Sequence, residues 1–143
     1  AIAGTSAGAI AGALYAAGKS PEEVLQLMKN NKYFGWSNIS WKKEGIFSMD
    51  ALEKLLKKIV PEDSFDALPV KLFVAATDLI KGEAVIFSKG NLHEAVIASA
   101  SIPVVFQPVK IGNKQLVDGG ILNNFPAELL LKLCDYVIGS DVN

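Results

Sequence analysis

Gly4-Thr5-Ser6-Ala7-Gly8 sets a serine between two glycines near the start of the sequence. In a G-x-S-x-G turn between a buried strand and a helix, the hydroxyl is pushed out of the backbone to where it can attack a carbonyl carbon. The flanking glycines keep side chains out of the approach. The chemistry this suits is acyl transfer through a covalent intermediate, and it requires a base to take the hydroxyl proton.

The usual base is a histidine oriented by a carboxylate. The sequence holds one histidine, His93, and it falls in the first turn of a helix expected over 91–100, not in a loop behind a late strand. It reads as a surface or helix-end histidine. A carboxylate is the next choice, and Asp118 is the strongest candidate. It ends an expected strand at 115–117, and Gly119-Gly120 behind it would let its carboxylate approach another element. An ordinary aspartate, with a pKa of about 3.9, is a weak base for a hydroxyl. Partial desolvation and direct contact with the serine would offset that. Taken alone, Asp118-Gly119-Gly120 is more simply a turn.

The elements that must position these groups can be followed along the chain. Ala1-Ile2-Ala3 reads as the end of a buried strand, and 7–17 as a helix of small residues able to lie close to a sheet, with Gly18 as its cap. Ser20-Pro21-Glu22-Glu23 opens a second helix with an N-cap, a first-position proline and acids in the first turn. Periodicity is lost over 32–47, which collects Tyr33, Phe34, Trp36, Trp41 and Phe47. Ser48 then caps a helix to Ile59. The apolar run 71–78 predicts a central strand covered on both faces, and Lys81-Gly82 turns it into a hairpin partner at 83–88. Asn91 is expected to cap the next helix. Gly112-Asn113 predicts a hairpin between 109–111 and 115–117. A helix at 126–133 and a last strand at 136–141 complete the expectation of an α/β domain with a mixed sheet.

The sequence has 143 residues, half of them hydrophobic and a fifth charged, with a formal net charge of −1. That is one globular domain, 1–143, able to bury roughly 70% of its unfolded surface. All basic residues are lysines, mixed with acids along the chain, so neither a nucleic-acid face nor an arginine clamp is expected. Cys134 is the one cysteine. In its apolar surroundings it reads as a buried, inert thiol, which suits a cytoplasmic location. No apolar run reaches the ~18 residues of a membrane span. The aromatics and lysines of 33–47 suit either packing on the domain or transient contact with a membrane surface.

Three blocks together resemble the patatin-like phospholipase family, in its small bacterial form. They are Gly4-Thr5-Ser6-Ala7-Gly8, Ala98-Ser99-Ala100-Ser101-Ile102-Pro103, and Asp118-Gly119-Gly120 followed by Asn123-Asn124-Phe125-Pro126. The resemblance implies a three-layer α/β/α fold with a mixed, mainly parallel central sheet. It implies a dyad, Ser6 as nucleophile and Asp118 as general base, hydrolysing lipid acyl esters of the phospholipase A, lysophospholipase or esterase type. Gly119, Gly120, Ser99 and Pro103 would support the motif, and neither cofactor nor metal is implied. Backbone at Ala7, Gly4 and Gly8 would surround the oxyanion, with the Ala7 N–H at the helix N-terminus as the obvious donor. The family's glycine-rich G-G-G-x-R/K-G block, upstream of the serine, has no counterpart. The expectation is therefore a partial domain lacking its first strand and oxyanion loop, weakly active or inactive by itself. An acyltransferase using the same acyl-enzyme and a non-catalytic binding or regulatory module are the alternatives.

Overall fold

The computed structural model describes residues 1–29 and 49–141. The aromatic stretch 33–47, with its expected membrane or packing role, lies outside them. Strand β1 (Ile2–Thr5) leads through Ser6 into helix α1 (Ala7–Ala16), followed by α2 (Pro21–Lys29) and α3 (Met49–Ile59). Strands β2 (Leu72–Asp78) and β3 (Glu83–Phe87) form a hairpin. Helix α4 (Leu92–Ser99) leads to a second hairpin, β4 (Val109–Ile111) and β5 (Lys114–Asp118).

Local chemistry explains most of these boundaries. Ser20 and Glu23 form a capping box at the start of α2: the Glu23 N–H donates to Ser20 Oγ at 3.2 Å, and the Ser20 N–H donates to Glu23 Oε2 at 2.8 Å. Gly112 takes φ 60° at the first position of the two-residue β4–β5 turn, as a type II′ hairpin requires. Asn91 precedes α4 as expected, yet its side chain makes no capping bond. Asp63 from the α3–β2 connection takes that part, its Oδ1 accepting the His93 N–H at 2.7 Å.

One core cluster joins α1, α3, α4 and β2. Ile10 and Leu14 of α1, Leu52, Leu55 and Leu56 of α3, and Leu92 and Val96 of α4 are buried over Leu72 and Val74. Fully burying such a side chain contributes roughly 1.5–3 kcal/mol, so this cluster fixes how the helices lie on the sheet. The architecture is the expected α/β fold, a mixed sheet with helices packed on it and consistent with a three-layer arrangement. The sheet is not mainly parallel among the described residues. β1–β2 is the parallel pair, whereas β2–β3, β2–β5 and β4–β5 are antiparallel. Short hairpins can only join antiparallel neighbours, and two of these pairs are hairpins.

Two further expectations fail near the end of the chain. Residues 126–133 form a short 3-10 turn at Ala127–Leu129 instead of a full helix. Residues 136–141 pair with no strand, and Tyr136 and Ile138 are almost fully exposed. Tyr136, Val137 and Ile138 form no ladder with β1, whose other edge is unpaired among the described residues. Cys134 is half-buried rather than enclosed. No helix among the described residues is long and apolar enough to cross a membrane.

Candidate active site

The site is built where two strands converge. β3 pairs with β2 from Val74 to Asp78 and so occupies one edge of β2. β1 pairs from Leu72 to Ala75 and β5 from Ala76 to Asp78, so both must use the opposite edge. β1 runs parallel to β2 and β5 antiparallel, and they meet end to end. The last paired residue of β1 is Thr5, opposite Ala75; the last of β5 is Asp118, opposite Ala76. Ser6 and Asp118, 112 residues apart in sequence, thereby face each other across adjacent positions of one strand.

Ser6 Oγ donates to Asp118 Oδ2 at 2.5 Å. The serine holds φ 54° and ψ −122°, a backbone conformation that L-residues rarely adopt. Such a conformation costs on the order of 1–3 kcal/mol and persists only where the surroundings enforce it. Three contacts do so. The Ser6 carbonyl accepts from the Ala9 and Ile10 N–H groups and starts α1. The Ser6 N–H donates to Ser99 Oγ at 2.9 Å. Gly4 lies beneath the first turn of α1, where a Cβ would come within 2.4 Å of the Gly8 carbonyl oxygen. Gly4 therefore permits the strand and helix to touch, rather than clearing a path to the hydroxyl. Gly8 is the glycine on the open side, with nothing near its Cβ position.

Asp118 is held as firmly. Its Oδ1 accepts the Gly120 N–H at 2.7 Å, leaving Oδ2 to the serine, and the residue is 8% exposed. Its own N–H donates to the Ser101 carbonyl at 2.9 Å. Gly119 packs against β2 so closely that a Cβ would stand 2.3 Å from the Ala75 carbonyl oxygen. The loop behind it is tied back to the serine strand, since Thr5 Oγ1 donates to the Asn123 carbonyl at 2.9 Å.

A cavity of about 610 Å³ opens beside Ser6, lined by Thr5, Ala7, Gly8, Phe125 and Leu130 among others. Its size is that of a small-molecule pocket. The Ala7 N–H, at the first position of α1, bonds to no described residue. It is one of the N–H groups that helix geometry leaves without an internal partner.

Of the residues singled out in the sequence, Ser6, Ala7, Gly4, Gly8, Ser99, Asp118, Gly119 and Gly120 come together here. Pro103 does not: it lies in the turn after α4 with no bond to the dyad. His93 is not at the surface. It is 4% exposed, and its Nε2 donates to the Val60 carbonyl at 2.9 Å. His93 thus joins α4 to the end of α3, about six residues or ~9 Å along the helix from Ser99. Thr5, Ser101 and Asn123 were missed by sequence reasoning. All three lie within the motif blocks, but nothing in the sequence pairs Thr5 with Asn123, because their bond joins the end of β1 to a loop 118 residues away.

The family model for patatin-like phospholipase matches residues 1–131. An uncharacterized NTE family protein of Mycobacterium tuberculosis is 32% identical over 127 residues, which cover 87% of this chain and 35% of that protein. Bacillus subtilis YqhO is 29% identical, with 92% of this chain and 56% of that protein covered. A probable lipid hydrolase of Invertebrate iridescent virus 6 is 26% identical, with 90% and 52% covered. The chain thus spans about a third to a half of these relatives. Among solved structures, VipD from Legionella pneumophila superposes with a TM-score of 0.37 at 21% identity, over 82% of this chain and 25% of that one. On the family match, this chain belongs to the patatin-like phospholipases.

Proposed function

We propose that the protein is a serine lipid acyl hydrolase in which Ser6 is the nucleophile and Asp118 its general base. The observation that carries this reading is the direct 2.5 Å bond from Ser6 Oγ to Asp118 Oδ2, made by a serine in a strained backbone conformation. Family membership and the probable lipid hydrolase among the relatives support an ester of a fatty acid as substrate.

In the proposed reaction, Asp118 takes the hydroxyl proton as Ser6 Oγ bonds to the ester carbonyl carbon. Negative charge gathers on the carbonyl oxygen. The Ala7 N–H and the N-terminal end of α1 are suited to stabilise it. Collapse of the tetrahedral intermediate breaks the bond to the alcohol, which leaves with the proton from Asp118. The acyl group remains on Ser6 until water attacks its carbonyl carbon and Asp118 takes the water's proton; the bond to Ser6 Oγ then breaks, the fatty acid leaves, and Asp118 returns the proton to Ser6 Oγ. No relay through histidine is needed, because the carboxylate itself touches the hydroxyl.

A fluorophosphonate probe tests the reading. Labelling of the full chain that disappears in Ser6→Ala and falls sharply in Asp118→Asn supports it. A folded protein that takes no label favours a binding or regulatory role for the fold instead.

A further inference from the structure

Ser99 is the last residue of α4 and is 0% exposed. Its hydroxyl makes two bonds of opposite sense. Oγ donates to the Ala75 carbonyl at 2.6 Å and accepts the Ser6 N–H at 2.9 Å. The first bond leaves the hydroxyl hydrogen committed to β2, so only an oxygen lone pair faces Ser6. Both bonds lie at the point where β1 and β5 meet along β2, because Thr5 pairs opposite Ala75. The peptide held by Ser99 is also the one entering the φ 54° turn that aims Ser6 Oγ at Asp118.

The neighbouring Ser101 serves the opposite member of the pair. Its carbonyl accepts the Asp118 N–H at 2.9 Å, while its own Oγ is turned back onto the Ile97 carbonyl at 2.8 Å. The end of α4 therefore grips the backbone of both Ser6 and Asp118, through the side chain of Ser99 and the main chain of Ser101. Only the Ser6 contact depends on side-chain chemistry, so only it can be removed by substitution without rerouting the backbone.

We infer that Ser99 is a positioning residue for Ser6: its hydroxyl anchors the serine turn to β2 and keeps Ser6 Oγ aligned with Asp118. This inference rests on the reading of Ser6 as the nucleophile. Ser99 touches neither substrate nor the reacting atoms, and its effect reaches them through the Ser6 peptide. Without the hydroxyl, the Ser6 N–H and the Ala75 carbonyl lose their shared partner, and the strained turn loses the tie that opposes its relaxation.

The test uses the full chain, with p-nitrophenyl butyrate turnover and fluorophosphonate labelling as readouts. Ser99→Ala is expected to lower kcat and the labelling rate by about 10- to 100-fold with KM little changed, as misalignment of a reacting group does. Ser99→Thr, which keeps the hydroxyl, is expected to recover most of the loss. A merely structural serine would lower the melting temperature and leave turnover per folded molecule as it was. A folded Ser99→Ala protein with turnover and labelling like the wild type overturns the inference. Where that variant does not fold, amide exchange of Ser6 in the wild-type protein decides: protection is expected, and exchange at the free-peptide rate overturns it. Ser6→Ala run alongside separates the two claims. Label that survives Ser6→Ala removes the nucleophile reading itself, whereas label lost there but unchanged in Ser99→Ala removes only the role of Ser99.

Discussion

Thr5 and Asp118 end strands that approach each other along the same edge of β2, stopping opposite Ala75 and Ala76. Ser6 and Asp118 are held at that junction by Gly119, packed close against the Ala75 carbonyl, and by Ser99, whose hydroxyl donates to the same carbonyl. The carboxylate is divided between Gly120 and Ser6, one oxygen each.

That division makes Asp118→Asn an informative change. The amide can still accept the Gly120 N–H and bond to Ser6, but it cannot take a proton. Turnover of a short ester should fall by about 10²–10⁴, the usual contribution of a general base, while the melting temperature changes little. Near-normal turnover in the folded variant would remove Asp118 from the proposed mechanism.

Gly119→Ala should damage both fold and site. The added Cβ would meet the Ala75 carbonyl oxygen at 2.3 Å and Thr5 Cγ2 at 2.9 Å, and backbone cannot swing aside. Overpacking of this kind costs about 1–3 kcal/mol, and a ~1 Å displacement of Asp118 would cost about 10²-fold in rate. Gly8→Ala is the contrast. Its Cβ meets nothing within 4 Å. The alanine should stabilise the chain by about 0.4–1 kcal/mol through a less flexible unfolded state, and raise KM by occupying the cavity beside Ser6. Denaturant midpoints and ester kinetics on the pair check both statements.

His93→Ala should leave catalysis alone and weaken the fold. It removes one of the two donors to the Val60 carbonyl, the Asp63 N–H at 3.2 Å being the other, inside the contact between α3 and α4, and losing one such bond costs about 0.5–1.5 kcal/mol. Turnover per folded molecule should match the wild type. A collapse of hydrolysis in a folded His93→Ala protein would restore histidine as the base.

Glu23 supplies a pH dependence whose sign can be stated. The Ser20 N–H, and next the Lys19 side chain, hold its carboxyl below the ordinary value of 4.5. A depressed folded-state pKa gives stability that is present above the unfolded value and lost as pH falls through the folded one. The capping box at α2 should therefore weaken below about pH 4.5, and Glu23→Gln should lose less stability on acidification than the wild type. An NMR titration of the Glu23 carboxyl with its midpoint at or above 4.5 would contradict this.

Where the sequence could be read and where it could not divides by distance along the chain. The Ser20 N-cap, the Gly112 turn, the apolar run of β2 and the helix after Ser6 were legible, since each depends on residues within a turn or two of one another. The expected strand at 136–141 failed because a short apolar run becomes a strand only when it pairs with a sheet, and pairing is not a local property. His93 was misjudged for a related reason. Its place in the first turn of a helix was right, but whether a helix end is buried depends on what packs there, and the α3–β2 connection with Val60 and Asp63 covers it.

The sequence by itself determined the chemical groups, a serine in a glycine-flanked turn and an aspartate before two glycines, and the local elements that carry them. The three separated blocks also carried the family resemblance. Only the tertiary structure decided that Ser6 and Asp118 meet. Their bond spans 112 residues, and it forms because β1 and β5 take the same edge of β2 in opposite directions. No local hydrogen bond encodes that choice. It follows from the core beneath Leu72 and Val74, which fixes α1 and α4 on the sheet and leaves Ser99 between the serine turn and β2.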